Sequence, residues 1–486
     1  MIMRQLRKDA LAIWQAGVDG VAPDRLIREN VFINDGVLEI AGITYPDVRR
    51  IVVVGGGKAS GRMAEALEPI LCRLAVPEIV GWINVPDDGV VPLRKIRLHP
   101  SRPMGVNEPT EAAAFGTERI IALLQSLRPN DLCINLLSGG GSALLPALPP
   151  EIALTEKIEI TRFLSGAGAD IQELNTVRKQ ISRLKGGKMK DLCRGRRLVS
   201  LILSDVLGDP LDVIASGPTV DNPSSAADAL AVLRKFETAP ATDAQKTAIQ
   251  NVVRFLERSF GERARIKEEM RCGSQCPPPP PLPEGEGTID EWGTIFADDG
   301  LVRNIIIGNN AVAVDCAGME AERRGYSAVS TCAIKSEGFA EDIGVRLAEQ
   351  VIRMQAGGPD CLISGGEPIV RLVPREFRGK GGRNQQLVLA ALIHLLNEDR
   401  FQGKIVMLSG GTDGEDGPTD AAGALFDDEL IERLRHRMQD DPMFDPVRFL
   451  ETNNAYPFFE SLDGLVKTGP TGTNVCDLRV LLRCKV

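Results

Sequence analysis

Histidine is almost missing: the 486 residues contain three, His99, His394 and His436. None stands at a metal-ligand or triad spacing from a cysteine or a second histidine, which leaves histidine-based nucleophilic catalysis and His/Cys metal centres poorly supplied. Cationic excess is absent too. Fifty-seven Lys and Arg face 66 Asp and Glu, a net charge of −9, and the pI is about 5.3. No broad electrostatic footprint for nucleic acid follows from such a balance. No apolar run approaches the roughly 20 residues of a membrane helix, and the opening MIMRQLRKDALAIWQAGV carries charges where a secretion signal has its apolar core. The expectation is a cytoplasmic protein with neither nucleic acid nor membrane as partner. The ten cysteines form no CxxC and lie mostly inside apolar segments (Cys133, Cys193, Cys332, Cys361, Cys476), as reduced core thiols do.

Glycine, by contrast, is plentiful and placed. Apolar runs lead into Gly55-Gly56-Gly57-Lys58, Ser138-Gly139-Gly140-Gly141, Ser204-Asp205, Ser364-Gly365-Gly366 and Ser409-Gly410-Gly411. A short buried strand that ends in glycines exposes backbone N–H groups at the carboxyl edge of a sheet, where anions are held. Strands at 51–54, 78–85, 132–137 and 198–203 alternate with helices near 61–73, 109–126, 151–164 and 173–193, which implies βαβ crossovers and a parallel sheet. Helices at 4–18 and 22–30 are expected to pack on that sheet. A second set of strands, at 304–307, 327–334, 361–363, 369–373, 405–408 and 477–482, goes with helices at 310–324, 338–356, 383–397 and 428–437. Two α/β domains with mainly parallel sheets are expected, 1–265 and 301–486, with a linker at 266–300 and a ligand site in the interdomain cleft. The linker holds RCGSQCPPPPPLPEGEG at 271–287, an extended excursion unable to pack a core.

The loops carry cations and carboxylates of use in phosphoryl transfer. Lys58 follows Gly56 and Gly57 in a turn that lacks both the dinucleotide fingerprint, broken at Ser60, and the Walker spacing. Its ammonium beside backbone donors suits a phosphate. Ser138 through Ser142 (Ser138, Gly139, Gly140, Gly141, Ser142) form a donor nest, while the spacing and the lack of a histidine partner speak against a nucleophile elbow. Asn175, Arg178 and Lys179, followed by Arg183, Lys185 and Lys188, gather cations able to clamp a carboxylate or phosphate. Asp205 and Asp209, beside Ser204, suit a Mg²⁺ ion or a hydroxyl, or form Asx turns. Gly382 and Asn384 flank Arg383, whose planar guanidinium matches two anionic oxygens. Gly411, Thr412 and Asp413 open an acidic glycine-rich loop suited to a metal beside a nucleotide.

Together VVGGGKAS, LLSGGGSALL, LNTVRKQISRLKGGKM, ILSDVLGDPLDVIASGPT, ISGGEP, GKGGRNQQLVLA, LSGGTDGEDGPTDAAGA and TGPTGTNVCDL make the chain similar to type II glycerate kinases over nearly its whole length, the proline-rich insertion apart. The resemblance implies a Rossmann-like amino-terminal domain, a smaller MOFRL-type carboxy-terminal domain and transfer of the γ-phosphoryl group of ATP, with Mg²⁺, to the 2-hydroxyl of D-glycerate. It implies catalytic roles for Lys58 and Arg383. Gly56, Gly57, Ser138 to Ser142, Asn175, Arg178, Lys179, Ser204, Asp205 and Asp209 fall to substrate and phosphate; Gly365, Gly366, Glu367, Gly382, Asn384, Gly411, Thr412 and Asp413 fall to the nucleotide, and Asp205 and Asp413 to the metal. A monomer or homodimer is implied. Many members carry His-Pro-x-Pro-Asp where this chain reads HPSRPMGVNEPT, so the role of that histidine is either passed to Arg102 or lost. Two alternatives stand beside this reading: an NAD(P)-dependent hydroxypyruvate reductase, against which the broken fingerprint and missing catalytic histidine speak, and a non-catalytic nucleotide sensor.

Overall fold

A computed structural model of the chain describes residues 2–103, 106–194, 196–273, 295–296, 302–354, 358–397 and 404–484. Of the proline-rich run, residues 274–287 lie outside the described residues. The chain forms two compact units. The first comprises Ile27–Leu203 and Pro210–Ile307; the second comprises Met1–Leu26, Ser204–Asp209 and Gly308–Val486.

In the first unit a three-stranded antiparallel sheet of β1 (Val31–Asn34), β2 (Val37–Ile40) and β3 (Ile43–Tyr45) precedes the main sheet. The main sheet holds β4 (Arg50–Gly56), β5 (Glu78–Pro86), β6 (Ile96–Arg102), β7 (Asp131–Leu137), β8 (Arg197–Leu203), β9 (Ile295–Phe296) and β10 (Val302–Gly308), in the order β6-β5-β4-β7-β8-β10-β9. The pairs β6/β5, β5/β4, β4/β7 and β7/β8 are parallel. Val52, Val53 and Val54 of β4 are fully buried, as the inner strand of a parallel sheet covered on both faces requires. Parallel register brings Gly56 of β4 opposite Leu137 of β7 and Asn84 of β5. The glycine turn after β4 and the serine-glycine turn after β7 therefore leave the sheet side by side.

The strand expected at 304–307 in the second set belongs to this first sheet as β10. Its short apolar run, Ile305-Ile306-Ile307, is common to many strands, and nothing local identifies the partner. The helix expected over 173–193 is two helices, Ile171–Gln180 and Lys188–Leu192, because Gly186 and Gly187 adopt φ of +60° and +80° between them. Asp170 and Glu173 cap the first of these reciprocally, at 2.8 and 3.1 Å.

The second unit has a six-stranded sheet of β11 (Ala328–Cys332), β12 (Cys361–Gly366), β13 (Ile405–Gly411), β14 (Gly423–Asp427), β15 (Leu465–Val466) and β16 (Asp477–Arg483), ordered β11-β12-β16-β13-β14-β15. Only β11/β12 is parallel; β16 runs antiparallel to both β12 and β13, and β14 is antiparallel to β13. The α/β class holds, but the expectation of a mainly parallel second sheet does not. Residues 369–373 form no strand, Ile369 making one isolated bridge with Phe339. The helix Ile2–Gly20 packs on this sheet rather than on the first: Leu6, Ala10, Ile13, Trp14 and Val18 join a core with Leu408, Leu478 and Val480, and Trp14 Nε1 donates to the Leu478 carbonyl at 3.2 Å. No helix among the described residues is long and apolar enough to cross a membrane.

Candidate phosphoryl-transfer site residues

In the first unit the turns after β4 and β7 are tied by backbone and hydroxyl groups. The Lys58 N–H donates to the Gly139 carbonyl at 2.8 Å, the Ala59 N–H donates to Ser138 Oγ at 2.9 Å, and Ser60 Oγ stands 3.2 Å from Ser138 Oγ. A Cβ at Gly57 would overlap Ser138 Oγ, so glycine there is a matter of close approach. Gly140 has φ +80°, and a Cβ on it would lie 2.9 Å from Arg102 Nη2 and 3.6 Å from Lys58 Cγ. Lys58 and Arg102 thus flank the same donor turn. Arg102 is buried, donates from Nη1 to the Val106 carbonyl and to Asn107 Oδ1 at 3.0 Å, and leaves Nε without a partner. Burial depresses its pKa and Asp88 opposes this.

Behind that turn, Ser142 Oγ is 3.1 Å from Ser216 Oγ, which reaches Asn175 Oδ1 at 2.9 Å. Lys185 Nζ donates to the carbonyls of Ser142 at 2.9 Å and Ala215 at 3.5 Å. The neighbouring cations have diverging fates. Lys179 pairs with Asp212 at 3.2 Å, whereas Arg178, among the described residues, meets no carboxylate.

In the second unit Arg383 opens the helix Arg383–Asn397. Nε and Nη2 donate to Asp477 Oδ2 and Oδ1 at 2.8 and 2.9 Å, and Nη1 donates to Glu367 Oε1 at 2.8 Å. Register explains the room for this pair: Asp477, first residue of β16, stands opposite Gly366 of β12 and Gly411 of β13, so glycines lie on both sides of it. Three of five guanidinium N–H groups are used, which leaves one on each terminal nitrogen for an anion. Burial disfavours the Arg383 cation, yet Asp477 and Glu367 outweigh it and hold its pKa above the ordinary range. Burial pushes the Glu367 carboxyl up, opposed by Arg383. Cys476 Sγ donates to the Asp205 carbonyl at 3.0 Å, which brings the Ser204–Asp209 loop to the same place. Asp416 accepts from the N–H groups of Asn384 and Gln385 at 3.0 and 2.9 Å, anchoring the helix start; burial pushes its pKa up to about 7 despite those donors.

Several residues expected at the nucleotide, and Asp209, expected at substrate and phosphate, make local contacts. Asn384 is fully buried between Asp416 and Ser409, Thr412 bridges Cys476 and Val475, and Asp413 accepts from the Glu415 N–H at 3.2 Å. Asp209, at φ +53°, accepts from Asn309 Nδ2 at 2.6 Å. Gly365 and Gly366 pack against Asn310 and Glu337, and Gly382 against Asp416. Among the described residues no group of three or more His, Cys, Asp or Glu is gathered to hold a metal ion.

Sequence reasoning named Arg102 only as heir to a family histidine, and it missed Asp477 and also Lys157, which is buried near Arg178 and Lys185. Asp477 had a signal: an acidic residue at the head of an apolar strand becomes buried on folding and needs a cationic partner. Lys157 had none, being one lysine in an amphipathic helix.

Residues 9–253 match a domain of unknown function, DUF4147, and residues 360–477 match the MOFRL family. The glycerate kinase of Danio rerio is 33% identical, across 99% of this chain and 98% of its own. The D-glycerate 2-kinase of Thermotoga maritima is 31% identical across 97% of each. The crystal structure of a glycerate kinase from Thermotoga maritima superposes with a TM-score of 0.74 at 30% identity, covering 99% of this chain and 100% of that one. With a DUF4147 match, a MOFRL match and full-length relatives that agree, this chain belongs to the glycerate kinase family of the DUF4147–MOFRL type.

Proposed function

We propose that the protein transfers the γ-phosphoryl group of ATP to the 2-hydroxyl of D-glycerate, giving 2-phosphoglycerate and ADP. The observation that carries this reading is the flanking of one backbone-donor turn by two cations, Lys58 and Arg102, over Gly140, in a chain whose full-length relatives are glycerate kinases, one of them a D-glycerate 2-kinase. Phosphoryl transfer through a loose transition state asks for positioning and charge neutralisation rather than a strong base. Lys58 neutralises charge on the transferred group while N–H groups of the Ser138–Ser142 turn orient its oxygens. Arg383, aimed by Asp477 and Glu367, spends its remaining N–H groups on nucleotide phosphate oxygens. A divalent ion enters as part of the substrate, MgATP, held by phosphates and water with one or two carboxylates; Asp205 and Asp413 are the candidates. The scattered cysteines, with no CxxC among them, suit a reducing cytoplasm.

The test is product analysis. Incubation with ATP, Mg²⁺ and D-glycerate should give the phosphorus NMR signal of 2-phosphoglycerate in step with ADP. The 3-phospho isomer would overturn the regiochemistry, and ATP bound without turnover would overturn the kinase reading.

A further inference from the structure

Lys157 is 6% exposed and Lys185 2% exposed, and Arg178 is half-buried. Among the described residues none of them has a carboxylate within ion-pair distance. Buried cations without counter-charge are costly, because desolvation is not repaid by attraction. Here the cost is compounded by repulsion: Lys157 and Arg178 both act on Lys185, and Arg178 acts on Lys157. Burial first, and then these neighbours, pull Lys157 down to about 7 and Lys185 well below its ordinary range. Structures keep such an arrangement where a ligand supplies the missing charge.

The geometry around the cluster is built. Asn175 and Arg178 stand three positions apart on the helix Ile171–Gln180, hence on one face. Asn175 is 3% exposed, its Oδ1 is taken by Ser216, and its Nδ2 is buried without a partner. Ala215 and Ser216 hold left-handed φ of +50° and +64°, a conformation that costs energy for residues other than glycine. It sets the Ala215 carbonyl near Lys185 and the Ser216 hydroxyl between Ser142 and Asn175. Lys185 Nζ reaches the Ser142 carbonyl, so the cluster adjoins the Ser138–Ser142 turn.

We propose that Lys157, Arg178 and Lys185, with Asn175 Nδ2, form a buried receptor for the carboxylate of the acceptor substrate. The inference rests on the kinase reading and deepens it: the receptor selects a 2-hydroxy acid over a neutral polyol and leaves the 2-hydroxyl toward the donor turn. Occupation by the carboxylate satisfies the orphan Asn175 N–H and gives the cations their counter-ion.

Lys157→Met and Asn175→Asp test it, the second placing a carboxylate where the ligand's would be. Both should raise the melting temperature of the unliganded protein while raising KM for D-glycerate by about 100-fold, the scale of losing one buried charge contact, with KM for ATP within about twofold. A shift in KM for ATP instead would assign the cluster to nucleotide phosphate. Unchanged constants would make it purely structural. Either result overturns the proposal, whereas a wild-type protein that turns over no D-glycerate overturns the kinase reading alone. In that event melting shifts with D-glycerate and with inorganic phosphate still decide: stabilisation by glycerate, lost in Lys157→Met, keeps the carboxylate receptor, and stabilisation by phosphate only removes it.

Discussion

Arg383 and Asp477 meet in a two-pronged pair, Nε to Oδ2 at 2.8 Å and Nη2 to Oδ1 at 2.9 Å, with the aspartate fully buried and the arginine side chain 34% exposed. The carboxylate fixes the plane of the guanidinium and so decides where its remaining N–H groups point. It also gives the arginine a structural role beside the one proposed for it in phosphoryl transfer.

Replacing the acid tests this. Asp477→Asn should lower the unfolding free energy of the second unit by about 2–3 kcal/mol, less than the loss at a fully buried pair because the arginine is partly solvated. Turnover should fall at least about tenfold as the guanidinium loses its orientation. Urea titration and initial rates measure the two; an unaltered rate with the stability loss would reduce the pair to scaffolding.

The two cations should weigh alike on rate. Lys58→Ala and Arg383→Ala are each expected to cut kcat by about 10²–10³, the scale of losing one preorganised electrostatic group. The bond from Lys58 to Gly139 is made by its backbone and survives truncation, whereas Arg383→Ala strands buried Asp477. The second variant should melt earlier than wild type, and kcat near wild type in either excludes that residue from the chemistry.

Asp416 gives a pH signature. Its folded pKa, about 7 because of burial, lies above the ordinary value of 3.8, so between those values the folded state binds more protons than the unfolded chain. The contribution of Asp416 to stability is then greatest below pH 4, declines as pH rises to about 7, and is level above. Wild type compared with Asp416→Asn should lose on the order of a few kcal/mol between pH 5 and pH 8. Parallel stability curves for the two proteins would contradict the raised pKa.

Gly140→Ala probes the donor turn. The left-handed backbone costs alanine about 1–2 kcal/mol, and the new methyl stands 2.9 Å from Arg102 Nη2. The expected result is a small drop in melting temperature and a large drop in kcat. A variant as active as wild type would show that Arg102 and Lys58 do not work across this glycine.

Much of the fold was legible because parallel inner strands announce themselves: Ile51–Val54 and Leu132–Leu137 are continuous apolar runs closed by glycine, and both lie within strands. Pairing was less legible. Whether 302–308 joins β8 or a later strand depends on contacts far away in sequence, and the antiparallel insertion of β16 between β12 and β13 has no local mark. The same division holds at the site. Lys58 and Arg383 could be picked out because glycines precede them, while Asp477 and Lys157 acquire meaning only when tertiary structure buries them. The reading of Arg178 and Lys179 as one clamp fails physically, since successive helical residues face different ways: Lys179 turns to Asp212 and Arg178 to the lysine cluster.

The contact between Trp14 and Leu478 spans 464 positions. Closing so long a loop brings an entropic debt that grows with the logarithm of its length and slows any element built from distant pieces. The main sheet of the first unit, assembled largely from neighbouring βαβ segments, is able to form while the amino-terminal helix and the residues after 308 are still searching for one another. Refolding is therefore expected to be biphasic, with the indole of Trp14 reporting the slow phase and that of Trp82 the fast one. Until the slow phase ends, the apolar stripe of the amino-terminal helix and the unpaired edges beside β16 stay open to other chains, so intermolecular capture during refolding should begin at the second unit.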